Sequence, residues 1–123
     1  TDVGHPTAVI ERYIAAAQHV VLEANYDSEM LRTGSYPPFL KERVASPLGH
    51  LSNEEAAEVL ARCYHPEMRN VWLCHLSKDN NHPELCWKSI EQRLFSEGIR
   101  VGKDLSLTAL RRTAPSPMYL LEP

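Results

Sequence analysis

Asp2, His50 and His75 are of residue types that can do chemistry, a carboxylate beside a turn glycine and two imidazoles, one just before a capped helix and one at the end of an apolar run. A carboxylate offers two hard oxygens that can bind one cation or bridge two. An imidazole can ligate a borderline metal or carry a proton near neutral pH. His75 follows Val71-Trp72-Leu73-Cys74, a run apolar enough for a strand buried on both faces. After it come polar residues and then Pro83, which suits the first position of a helix. His75 is thereby placed at the carboxyl end of a buried strand, the edge where open α/β sheets collect ligands and catalytic groups. The plainer alternative is a half-buried histidine satisfied by a nearby carbonyl. Asp2 sits in Thr1-Asp2-Val3-Gly4-His5, at a strand-to-helix turn, and its plainer reading is a turn or capping aspartate beside Gly4. His5 reads as a residue at the start of that helix. His50 precedes Ser52 and Glu55, whose spacing is that of a capping box. The N–H groups and positive dipole end of the helix that follows suit a phosphate oxygen or a developing oxyanion. The alternative is a loop histidine that merely precedes a capped helix.

The elements that must position these residues follow from periodicity. Val9, Ile10, Tyr13, Ile14 and Ala17 recur at the spacing of one buried helical face, in a helix beginning near Pro6 or Thr7. Residues 19–23 (HVVLE) read as a short strand, with Asn25, Tyr26 and Asp27 where it ends. A helical turn is expected over 29–32, a breaker-rich loop over 33–38 and a short basic helix over 39–44, with Lys41 and Arg43. The capped helix should run from just after Ser52 to about Tyr64, with Ala56, Val59, Leu60 and Cys63 facing inward. A further helix over 83–97 carries Trp87, Ile90, Leu94 and Phe95 at helical spacing and ends at Gly98. Two strand candidates close the chain, 105–111 and 118–122. Alternating strands and helices argue for an α/β layer with helices on one face, leaving the other face of the sheet in need of a cover.

With 123 residues and a net charge of −3, the chain is long enough for one core and exerts no global attraction on nucleic acid. A local positive cleft is not excluded by that balance. No run of eighteen apolar residues or charged-then-apolar leader is present, and a cytoplasmic location is expected. Cys63, Cys74 and Cys86 lack metal-ligand spacing and read as small buried residues of a reducing compartment.

Four segments in order, TDVGH, LEANYDSEML at 22–31, GHLSNEEA at 49–56 and HLSKDNNHPEL at 75–85, carry a resemblance. They are similar to the carboxyl-terminal half of the metallo-β-lactamase superfamily, and specifically to its WalJ (YycJ)-type, nuclease-related hydrolases. The resemblance runs from residue 1 to about residue 112. The HxHxDH string that supplies most of that superfamily's metal ligands does not occur here. The resemblance therefore implies that residues 1–123 are the carboxyl-terminal half of such a domain, one side of an αββα sandwich with a mixed sheet, inactive until an amino-terminal half completes it. It implies two divalent ions, zinc or manganese, with Asp2 and His75 as ligands. It makes His50 the catalytic residue, contacting the scissile phosphate together with Ser52 and Asn53. Related hydrolases often have His where this chain has Tyr26, which leaves Tyr26 a packed tyrosine. The expected activity is phosphodiester cleavage of DNA or RNA. A small-ester or thioester hydrolase of the same superfamily, or an inert assembly half-domain, are the alternatives. The implied partners are the amino-terminal half, a nucleic acid and a second copy of the chain, with no membrane.

Overall fold

The computed structural model describes residues 8–46 and 49–110, with side chains from residue 11 onward. In chain order the elements are α1 (Ala8–Ala16), β1 (His19–Glu23), α2 (Ser28–Thr33), α3 (Pro38–Ala45), α4 (Asn53–Cys63), β2 (Asn70–Cys74), α5 (Pro83–Ser96) and β3 (Ser106–Ala109). The three strands form one sheet in the order β1-β2-β3, and both pairings are parallel. The α/β layer is the one expected, and over its described strands the sheet is parallel. The remaining strand candidate, 118–122, lies outside the described residues.

Parallel neighbours need a crossover, and the preference for right-handed crossovers puts successive ones on the same face when the strands advance in one direction. Here α4 connects β1 to β2 and α5 connects β2 to β3, and both helices pack into one core with the sheet. Strand alternation sends Val20 and Leu22, Val71 and Leu73, and Leu107 and Ala109 to the helical side. They meet Ala56, Val59, Leu60 and Cys63 of α4 and Cys86, Ile90 and Leu94 of α5, with Ile14 of α1 at the margin. Val71 and Leu73 are fully buried, as expected for the middle strand.

Local chemistry sets the ends of the helices. Ser52 Oγ accepts the Glu55 N–H while the Glu55 carboxylate accepts the Ser52 N–H, so the expected capping box starts α4. The end of α5 is a Schellman turn: Gly98 takes φ +81°, its N–H donates to the Phe95 carbonyl, and the Ile99 N–H reaches back to Leu94. On the same helix the Trp87 indole N–H donates to the Leu107 carbonyl of β3 at 2.8 Å. Two aromatic positions depart from the periodicity. Tyr13 and Phe95 lie on faces turned to solvent, 75% and 60% exposed, because α1 and α5 each bury a narrower stripe than their apolar spacing suggested. Among the described residues no helix is long and apolar enough to cross a membrane.

Candidate functional site

The site is built where three connections meet at the carboxyl end of the sheet: the loop after β1, the segment leading into α4 and the loop after β2. They are stitched together by their backbones. Ala24 N–H donates to the Cys74 carbonyl, Asn25 N–H to Leu51, Ser77 N–H to Asn25, Asn53 N–H to Tyr26 and Asp27 N–H to Asn80. Beneath them Asn53 and Asn81 exchange two amide hydrogen bonds of 2.9 Å, and Asn81 also donates to the Ala24 carbonyl. Paired amides of this kind satisfy buried polar groups that would otherwise cost stability.

Glu23 lies at the centre. It is the last residue of β1, and its side chain is 1% exposed. One carboxylate oxygen accepts the Leu51 N–H at 2.9 Å. The other lies 2.9 Å from His50 Nδ1 and 3.5 Å from His75 Nδ1. With a carboxylate as acceptor, His50 carries its proton on Nδ1 and donates it to Glu23, leaving Nε2 as the nitrogen turned away from the acid. The two histidines remain accessible, with side chains 38% and 53% exposed, over a buried anionic support. Such a support fixes ring orientation and leaves the outward nitrogen free of the acid.

His50 is held from its other side as well. Its N–H donates to the Val44 carbonyl near the end of α3, and a Cβ on Gly49 would lie 2.2 Å from the Arg43 carbonyl and 2.4 Å from that of Val44. Only glycine permits this approach, so α3 is seated against the histidine by a residue that has no side chain. His75 has backbone φ +57°, the one positive value at a non-glycine among the described residues.

Of the residues singled out from sequence, the structure brings His50 and His75 together on Glu23. Asp2 lies outside the described residues. Ser52 and Asn53, expected to face substrate, are 3% and 0% exposed and turned into the protein. Ser52 is spent on the helix cap and Asn53 on the amide pair, and both of their N–H groups are also taken. Tyr26 is packed, as expected: it is 5% exposed, and burial, helped by Glu55 and Glu54, pushes its phenol up to about 12. Glu23 and Asn25 were not anticipated. The available signal was an acidic residue closing the apolar run HVVL, with nothing nearby in sequence to pair it. Among the described residues no group of three His, Cys, Asp or Glu side chains is disposed to hold a metal ion.

Over 103 residues, 84% of the chain, the sequence is 41% identical to a Bacillus anthracis protein named Exodeoxyribonuclease YycJ. Over 107 residues it is 38% identical to Exodeoxyribonuclease WalJ of Streptococcus pneumoniae. This is a relative of the YycJ and WalJ exodeoxyribonucleases. The matches bear out the resemblance to the WalJ (YycJ)-type branch of the metallo-β-lactamase superfamily that the four motifs carried. The chain spans about two fifths of each relative's length, 39% and 40%. No family model matches the sequence. No solved structure matches it either.

Proposed function

We propose that this chain is the carboxyl-terminal half of a metal-dependent phosphodiesterase that degrades DNA or RNA from an end, with His50 contacting the scissile phosphate. The observation that carries this reading is the Glu23 carboxylate shared by His50 and His75 at the carboxyl edge of the sheet. A buried acid behind an imidazole orients a catalytic base or acid, and it equally orients a metal-bound histidine. The relatives' name, exodeoxyribonuclease, supports DNA as the substrate.

A pair of divalent ions, zinc or manganese, fits the donors in part. His75 turns Nδ1 toward Glu23, the arrangement expected of an imidazole that ligates through its other nitrogen. Asp2 would supply the carboxylate from this chain, and an amino-terminal half carrying HxHxDH would supply the rest. When bound, such ions lower the pKa of water and stabilise charge on the phosphoryl oxygens. The chain's own residues do the remaining work. Glu23 fixes the His50 ring through Nδ1, and Nε2 is the nitrogen that faces the phosphate, accepting a proton as the neutral ring or delivering one to the leaving oxygen once the ring has taken up a second proton. The loop network keeps the two imidazoles in register. The buried thiols of Cys63 and Cys86 fit a reducing, cytoplasmic setting.

The test combines metal analysis with steady-state cleavage of single- and double-stranded DNA and RNA, in the presence of the amino-terminal half. His75→Ala should lower both metal content and turnover. His50→Ala should keep the metal and lose roughly 10²–10⁴-fold in cleavage, the loss expected when a positioned proton carrier is removed. Loss of metal in His50→Ala, or unchanged cleavage, would remove the role given to His50. Turnover of small esters or thioesters without nucleic-acid cleavage would move the assignment to the other hydrolase reading.

A further inference from the structure

We propose that Asn25 is a positioning residue, which holds His75 in its left-handed backbone conformation and fixes the spacing between the two histidine loops. The need for such a residue comes from the pleat. Val71 and Leu73 point into the helical core, so continued alternation would aim residue 75 into that same layer. Glu23 lies on the opposite register, alternating with Leu22, which faces the core. A turn to φ +57° at His75 breaks the alternation and brings its imidazole to the Glu23 side, where Nδ1 stands 3.5 Å from Oε2. That conformation crowds Cβ against the backbone and is disfavoured for any residue but glycine, so neighbouring contacts must maintain it.

Asn25 supplies two such contacts and a third to the loop that carries His50. Its side-chain Nδ2–H donates to the His75 carbonyl at 2.7 Å, and its own carbonyl accepts the Ser77 N–H at 2.6 Å, bracketing the turned peptide. Its N–H donates to the Leu51 carbonyl at 2.8 Å, while the Leu51 N–H is held by Glu23. Residues 23 and 25 thus grip Leu51 by both backbone groups and His75 by ring and carbonyl. The spacing of His50 and His75 is set by one short segment of chain. Asparagine suits the position because it combines a side-chain donor of the right reach with no charge.

The proposal rests on the reading above only in taking His50 and His75 as the working pair. Its tests read backbone conformation and stability in the full chain, so its failure and that of the nuclease reading are distinguishable. In the parent, NMR should show the strong intraresidue HN–Hα NOE at His75 that positive φ produces. Asn25→Ala and Asn25→Asp should weaken it while leaving the NOE pattern of α4 and α5 unchanged. Thermal unfolding supplies the second measurement. Asn25→Ala should lower the midpoint by about 4 °C with His75 present. In a His75→Gly background, where positive φ carries no penalty, the loss should be larger, because with His75 part of it is recovered when the strained residue relaxes. A loss no larger in the glycine background, or an unchanged NOE at His75 in both Asn25 variants, would overturn the proposal. Should Asn25→Ala fail to fold, Asn25→Asp keeps the side chain's shape while removing the donor, and carries both measurements.

Discussion

Glu23 shows how a single side chain can acquire a role that no local pattern announces. It closes a strand whose three preceding residues are apolar, and its three partners lie 27, 28 and 52 positions away. His50 and His75 were legible because each sits at a recognisable boundary, a capping box or a strand end. Glu23 was not, since burial of an acid at a strand end becomes visible only once the two loops close over it. Glu23→Gln keeps the shape and an acceptor for the Leu51 N–H, but presents an amide or a weaker acceptor to the histidines. It should leave the fold intact and lower activity of the completed enzyme by about 10–100-fold, as loss of a supporting carboxylate commonly does. Kinetics beside circular dichroism would check both halves of that statement. Two other buried groups give a pH dependence. Tyr26 is pushed up to about 12 from 10, chiefly by burial, and the Cys86 thiol to about 12 from 9, again by burial. The unfolded chain therefore loses these protons first, and stability that is whole below pH 9 should decline as pH rises from 9 toward 12. Urea midpoints that stay level across that window would contradict the assignment. Tyr26→Phe should flatten its part of the decline.

At the scale of elements, α4 is the best specified piece of the chain and the one nearest the chemistry. Its capping box, its inner face of Ala56, Val59, Leu60 and Cys63, and its end near Tyr64 were all readable. Ser52→Ala should cost about 1 kcal/mol, as cap deletions do, and the first turn of α4 should fray. Because Leu51 and Asn53 belong to the loop network, faster hydrogen exchange should spread to Asn25 and Leu51 before it reaches the middle of α4. Exchange rising evenly along the helix would argue that the cap and the loops are independent. The short basic helix over 39–44 was also readable, as α3, but its attachment was not. It buries no residue, and its seat depends on the contact of Gly49 with the Arg43 and Val44 carbonyls. Gly49→Ala should therefore displace the α3 end from His50 and cost more than the usual loss of glycine freedom. Tyr13 and Phe95 escaped the periodicity argument for a related reason. Spacing identifies a stripe, but how wide a stripe is covered depends on what packs against it.

For the molecule as a whole, the central strand carries the core. Leu73 is fully buried between α4, α5 and the flanking strands, and Leu73→Ala should cost about 2–5 kcal/mol by denaturant titration. The parallel order of the strands was half legible. Alternation of strands and helices implied crossovers on one face, while the direction of every strand required the pairing itself. On the far side of the sheet Val21 is 60% exposed, where the domain reading places the amino-terminal half. Sedimentation of the chain alone should show self-association, which adding the proposed amino-terminal half should abolish; a persistent monomer would count against that face as an interface. The hydrogen bond from Trp87 to Leu107 has a consequence at the opposite margin. Ser106 and Leu110 direct their N–H groups to the carbonyls of Arg69, just before β2, and of Leu73 within it, so by alternation the Leu107 carbonyl points outward from the edge of the described sheet. An outward carbonyl on an edge strand is an invitation to another chain's backbone. The indole answers it from within: a strand adding at Leu107 must first displace an aromatic ring anchored in α5. Trp87→Phe retains most of the packing and removes the N–H, and should leave a chain that folds but passes more readily into strand-paired aggregates.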